Sequence, residues 1–140
     1  MKTTETEVTC DLVIYKNEEG RNLILLIQRK NDPYKGKWAL PGGFIETDET
    51  VGAGAARELK EETNVEIAEK DLTFIDYFDQ PDRDPRGRII SFAFAAEVPS
   101  ETKHNASDDA SEARWFPLDN LPELAFDHKE IIEYTIQLKS

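Results

Sequence analysis

Three glutamates, Glu58, Glu61 and Glu62, are the residues of this chain whose type and spacing point most directly to chemistry. On a helix, offsets of three and four bring them onto one face. Carboxylates crowded there repel one another. Two arrangements relieve the repulsion: solvation as an acidic surface, or a divalent cation. Hard oxygen donors of this kind suit Mg²⁺ or Mn²⁺. A cation held on the cluster would make a bound water more acidic, giving a nucleophile. The opposite side of the helix offers Gly52, Ala56 and Leu59, small enough to press it closely onto a sheet.

The flanks decide between the two arrangements. Gly43, Glu49, Arg57, Glu58, Leu59, Glu61, Glu62 and Val65 stand at the spacing G-x5-E-x7-R-E-L-x-E-E-x-x-V. This pattern resembles the Nudix box, and eight matched positions over 23 residues are far more specific than a lone glycine motif. Trp38-Ala39-Leu40-Pro41-Gly42-Gly43-Phe44 and Arg114-Trp115-Phe116-Pro117-Leu118 are also similar to that family, so the resemblance covers most of the chain. One position departs: Asn64 stands where the box has glycine. Asn is the usual substitute where a helix ends in a left-handed residue, so the loop is expected to survive.

The resemblance implies roles. Glu58 and Glu62 bind metal directly, Glu61 binds metal or orients the water, and the Gly42 carbonyl completes the site. Arg57 holds the carboxylates in place. Glu49 is either part of this machinery or a residue that stabilises the helix dipole. The resemblance also implies an α/β fold, an α/β/α sandwich around a mixed sheet, with the carboxylate helix on one face and a C-terminal helix on the other.

The elements that must position these residues can be read from periodicity. Glu7 to Tyr15 alternates as a strand, with Val8, Cys10, Leu12 and Ile14 on one face, and Asn17 to Gly20 supplies a turn. Leu23 to Ile27 is a continuous apolar run, the mark of a strand covered on both faces. Trp38-Ala39-Leu40 is cut off by Pro41-Gly42-Gly43. Asp48 to Thr63 reads as a helix. Leu72 to Phe78 and Ile89 to Val98 are strands joined by a connection too long and charged for a tight hairpin. Arg114-Trp115-Phe116 is a short strand, and Asp127 caps a last helix through Ile131, Ile132 and Ile136. Trp38, Trp115 and Tyr134 read as core rather than base-stacking residues.

Two loops carry candidates for the substrate. Arg83-Asp84-Pro85-Arg86-Gly87 resembles a segment of the ADP-ribose pyrophosphatase branch of the family, and Leu124-Ala125-Phe126-Asp127-His128 is a second such similarity. Arg83 and Arg86 could grip phosphate or donate to ribose hydroxyls. The alternative is that Asp82 and Asp84 pair with Arg83, Arg86 and Arg88 at the surface. His128 reads as a helix-start residue. Asp108, Asp109 and Glu112, in the polar stretch before Arg114, are candidates for a general base, against a plain solvated loop.

Composition bounds the partners. A net charge of −12 argues against nucleic-acid binding, which draws on clustered Lys and Arg. The single cysteine, Cys10, excludes an intramolecular disulfide. No apolar run is long enough for a membrane span or signal segment, so no membrane partner and a cytoplasmic location are expected. The 140 residues are expected to form one domain, 1–140, monomeric or a homodimer. The resulting expectation is an enzyme acting on a small nucleotide, hydrolysing ADP-ribose to AMP and ribose 5-phosphate. Removal of pyrophosphate from a modified nucleoside triphosphate, or ligand sensing without catalysis, are the competing readings.

Overall fold

The computed structural model describes residues 5–102 and 110–139. Its centre is strand β1 (Thr6–Glu18), which pairs on both sides. On one side lies β6 (Arg88–Glu97), parallel to β1 over ten positions from Thr6↔Arg88 to Tyr15↔Glu97. On the other side two partners share β1 end to end. The hairpin partner β2 (Arg21–Arg29) takes Tyr15 to Glu18, and the short β4 (Gly42–Phe44) takes Thr9 to Asp11. The hairpin turns on Glu19 and Gly20, both at positive φ (53° and 83°), the two-residue geometry that matches strand twist. Beyond β1 and β2, β3 (Trp38–Ala39) and β7 (Ala110–Pro117) pair antiparallel with β2, and β5 (Thr73–Phe78) pairs antiparallel with β6. The sheet is therefore mixed and seven-stranded.

Both faces of that sheet are covered. Cys10, Leu12, Ile14, Leu25 and Ile27 point to the face where helix α1 (Val51–Thr63) buries Ala55 and Leu59. Val13, Ile24, Leu26, Ala93 and Ala95 point to the face where helix α2 (His128–Lys139) buries Ile131 and Ile132. The two-residue period of β1, β2 and β6 thus sorts alternate side chains between two cores. This is the α/β/α sandwich expected from the sequence. Among the described residues no helix is long and apolar enough to cross a membrane.

Several expectations shift in detail. Helix α1 starts at Val51, not Asp48, because Thr50 is extended and its hydroxyl caps the Ala53 N–H at 3.2 Å. The helix packs through Ala55 and Leu59. Gly52 instead faces Glu69, and Ala56 is only partly covered. Asn64 ends the helix in the left-handed region (φ 61°, ψ 14°) with its N–H on the Lys60 carbonyl, as its place in the motif requires. The strand around Arg114 is longer than expected, spanning Ala110–Pro117. Tyr134 is not core: it is at the surface, with its hydroxyl donating to Asp76 at 2.6 Å. Trp38 and Trp115 do pack against the two cores.

Candidate active site

The site begins where α1 packs against the two glycines of β4, Gly42 and Gly43. Glu58 and Glu62, one helical turn apart, are 8% and 5% exposed although both are carboxylates. Such burial needs partners. The Gly42 N–H donates to Glu62 Oε1 at 2.7 Å. Gly43 has no side chain to keep Glu58 away: a Cβ there would stand 2.7 Å from the carboxylate carbon. Gly42 is required for a different reason. Its φ is 156°, and a Cβ would come within 2.0 Å of the Cys10 carbonyl oxygen on β1. The two glycines let β4 lie against β1 on one side and receive two carboxylates on the other.

Arg57 gathers the remaining acids. Its Nη1 donates to Glu58 Oε1 at 2.9 Å and to Glu61 Oε1 at 3.0 Å. Its Nε and Nη2 hold the Glu49 carboxylate at 3.0 and 2.6 Å, a two-point contact. Those hydrogen bonds from Arg57, with one from the Glu46 N–H, bring the Glu49 carboxyl down to about 2. Glu49 therefore anchors Arg57 rather than serving the helix dipole. Glu61, with its side chain 47% exposed, is the open member of the cluster. The Cys10 thiol registers the local field: burial pushes it far above the ordinary thiol range, and Asp11, Glu58 and Glu62 push the same way.

Next to the carboxylates a cleft of about 80 Å³ opens, with Gly42, Gly43 and Glu62 on one wall. The end of β2 supplies Arg29, the β5–β6 connection supplies Arg83, Asp84 and Arg86, and the approach to α2 supplies Phe126 and His128. The Arg86 guanidinium lies over two rings, 4.8 Å from Phe44 and 5.3 Å from Phe126, and is held by Asp84 at 2.7 and 3.0 Å. Burial alone would raise the Asp84 carboxyl, but the hydrogen bonds from Arg86 outweigh it and bring it down. Arg29 also lies over the Phe126 ring, at 5.0 Å. Burial and then the charge of Arg86 lower its pKa, as expected for two cations sharing one cleft. Two guanidiniums and the buried Glu62 carboxylate thus line one cleft, an arrangement suited to an anion bridged to a cation.

A NUDIX domain is matched over residues 7–135. The chain belongs to this family. The Nudix chain is 50% identical over 123 residues to an ADP-ribose pyrophosphatase of Methanocaldococcus jannaschii, an alignment covering 87% of this chain and 70% of that protein. The NUDIX domain of Shewanella oneidensis NrtR, in complex with ADP ribose, superposes with a TM-score of 0.91 at 29% identity, covering 99% of this chain and 91% of that one. A bifunctional NMN adenylyltransferase/ADP ribose pyrophosphatase of Francisella tularensis, complexed with AMP and a Mn ion, superposes at 0.87 with 34% identity. That match covers all of this chain and 44% of the other.

A divalent cation fits the Nudix carboxylates on their own chemistry. Glu58 and Glu62 are hard donors, buried, and one helical turn apart. Among the described residues no three acidic, histidine or cysteine side chains converge as a ligand group. The reason is visible: Arg57 spans Glu58 and Glu61, while the Gly42 N–H holds Glu62.

The other residues singled out in the sequence fall in different places. Arg83 and Arg86 both line the cleft, but the Arg83 side chain is only 3% exposed and donates to both Asp127 oxygens at 2.8 and 2.7 Å. The carboxylate of Asp127, expected to cap α2, is thus engaged by Arg83. Of the ion pairs that the sequence offered within the loop, Asp84 with Arg86 forms, whereas Arg83 pairs outside the loop with Asp127 and Arg88 donates to the Asp79 carbonyl. Glu112, on β7 opposite Gln28, is paired with Arg114, and Asp108 and Asp109 lie outside the described residues. Sequence reasoning missed Arg29, Phe44 and Asp11. The basic end of an apolar strand, Gln28-Arg29-Lys30, was the only hint of Arg29, and for Asp11 the only hint was a lone acid in an apolar strand.

Proposed function

We propose that this protein hydrolyses the diphosphate linkage of ADP-ribose, giving AMP and ribose 5-phosphate, with Mg²⁺ or Mn²⁺ as cofactor. The observation that carries the reading is the pair of buried carboxylates, Glu58 and Glu62, set against Gly42 and Gly43 of β4, with Glu62 lining the same cleft as Arg29 and Arg86. Half identity to an ADP-ribose pyrophosphatase, together with structural neighbours solved with ADP ribose and with AMP, supports the choice of substrate.

In this reading Glu58, Glu62 and the Gly42 carbonyl hold the metal, with Glu61 as a further ligand or the group that orients the water. The bound cation would neutralise the diphosphate and acidify its water. Arg57 keeps Glu58 and Glu61 in place and is itself fixed by Glu49. Arg86 and Arg29 bind the phosphates. Water adds at one phosphorus, the bridging P–O bond breaks, and the proton released passes to a base, for which Glu61, Asp108, Asp109 and Glu112 are the candidates. The charge of −12 accords with a cytoplasmic enzyme, monomeric or a homodimer, whose partner is a small nucleotide rather than nucleic acid or membrane.

The test is a panel of nucleoside diphosphate sugars and nucleoside triphosphates, with and without Mg²⁺, followed through coupled phosphate release. ADP-ribose should be cleaved with the highest kcat/KM. Preference for a triphosphate would replace the reading with a nucleotide pyrophosphohydrolase, and tight binding of ADP-ribose without turnover would replace it with a sensor.

A further inference from the structure

Two segments about 40 residues apart in sequence, Arg83 to Gly87 and Phe126 to His128, meet at the cleft and line its floor. Arg83 is the junction. Its Nε and Nη2 donate to Asp127, its Nη1 donates to the Ile89 carbonyl at 3.4 Å, and Asp11 Oδ2 lies 3.7 Å from Nη2. Asp11, buried on β1, also accepts from the Ser91 hydroxyl and lies 3.2 Å from His128 Nε2. The other ring nitrogen of His128 accepts the Leu40 N–H at 2.9 Å, so that Nδ1 is the acceptor and Nε2 is the nitrogen beside Asp11. One buried network therefore ties β1, β6, the start of α2 and the strand leading into Gly42 to a single loop residue.

The next residue carries the loop upward. Asp84, also buried, accepts from the Arg86 backbone N–H at 2.9 Å and from its guanidinium, and Arg86 then lies over Phe44 and Phe126. Phe126 adjoins Asp127, so the ring that supports Arg86 and the carboxylate that anchors Arg83 come from the same short segment. The position of Arg86 is thus fixed twice from below.

Resting on the reading of this cleft as the ADP-ribose site, we propose that Arg83, Asp127, Asp11 and His128 form a buried positioning unit. It sets the place of Arg86 over the cleft, governing substrate affinity rather than the chemical step, and Arg83 does not itself contact the substrate. A salt bridge this deeply buried contributes little to stability against a well-packed apolar alternative, but it fixes geometry.

The test is a double-variant cycle on the full chain, with kcat and KM for ADP-ribose and with ADP-ribose affinity measured calorimetrically in EDTA. Arg86→Ala should raise KM and the dissociation constant by about 10–100-fold with kcat little changed. Asp127→Asn should raise them by a comparable factor, and in the double variant the effect should be that of Arg86→Ala alone. Arg83→Lys, which keeps the charge but loses the two-point fork, should repeat the Asp127→Asn pattern. Multiplicative effects in the double variant, or a fall in kcat with KM intact, would overturn the proposal. A measurement on the wild type covers the case in which the variants do not fold: the Arg83 Nε–H resonance should exchange slowly and stay unmoved on ADP-ribose addition while that of Arg86 shifts. A large shift at Arg83 would make it a substrate ligand and end the proposal. If the wild type neither binds nor cleaves ADP-ribose, the function reading fails; if it does both and the cycle is additive, only the positioning unit fails.

Discussion

Replacing Gly43 with alanine separates the geometry of the carboxylates from the stability of the fold. The backbone at Gly43 is not left-handed, so an alanine there meets a spatial problem only. Its Cβ would stand 2.7 Å from the Glu58 carboxylate carbon and 2.7 and 2.9 Å from its oxygens. Carbon contacts become attractive near 3.5 Å, so the carboxylate must retreat by about 0.8 Å. It is the far end of a flexible side chain, and retreat is cheap for the fold. It is costly for function, because Glu58 is also held by Arg57 at 2.9 Å and cannot move without disturbing that contact. Misplacement by about 1 Å at a reacting centre can reduce rate about 100-fold, so Gly43→Ala should lower kcat by about 10–100-fold and raise the Mg²⁺ concentration for half-activity. The melting temperature should stay within a few degrees of wild type, roughly the shift of a change below ~1 kcal/mol. Turnover across a Mg²⁺ titration and a thermal melt decide the matter. Wild-type turnover at every Mg²⁺ concentration would refute the assignment of Glu58, and a large loss of melting temperature would show that the backbone, not the carboxylate, gave way.

Other predictions follow from the same geometry. Glu62→Gln should reduce turnover by orders of magnitude with circular dichroism unchanged, since it removes a ligand charge while an amide oxygen still accepts the Gly42 N–H. Arg86→Ala should raise KM for ADP-ribose more than it lowers kcat, by roughly 1.5–3 kcal/mol for a charge-assisted contact, as read from steady-state kinetics. EDTA should abolish hydrolysis and Mg²⁺ or Mn²⁺ should restore it without refolding. Because Glu49 titrates at about 2 in the folded protein against an ordinary 4.5, its pairing with Arg57 stabilises fully above about pH 4.5. That contribution is lost as pH falls towards 2. Acid unfolding of Glu49→Gln should lack this component, and an identical acid limb would contradict the pairing.

The parts of this site that were legible in the sequence are those made within one element. Glu58, Glu61 and Glu62 are ordered by helical periodicity, and Pro41-Gly42-Gly43 marks where the backbone changes course, at the start of β4. Asn64 could be recognised because left-handed helix ends tolerate few residues. The parts that were not legible depend on long-range contacts. Arg83 reads locally as a loop cation among aspartates, yet its partner is Asp127, 44 residues away. Asp127 reads as a helix cap for the same reason: sequence shows that an acid precedes a helix, not which cation reaches it first. Asp11 stands in an apolar strand as an apparent misfit, explained only by Ser91, Arg83 and His128 arriving from three other elements. In the fold, by contrast, the period of two in β1 and β2 carried most of the architecture, because both faces of each strand are core.

The parallel ladder between β1 and β6 has a consequence for how this chain reaches its native state. Thr6 pairs with Arg88 and Tyr15 with Glu97, so the central seam closes only after some eighty intervening residues have been made. The hairpin of β1 and β2 and the carboxylate helix are local and can form early, but one edge of β1, with Cys10, Leu12 and Ile14 beside it, stays open until β6 arrives. An open apolar edge invites pairing with another chain. Synthesis arrested before residue 88 should therefore yield insoluble fragments, and because Asp127 and His128 arrive later still, the cleft is among the last parts of the molecule to be assembled.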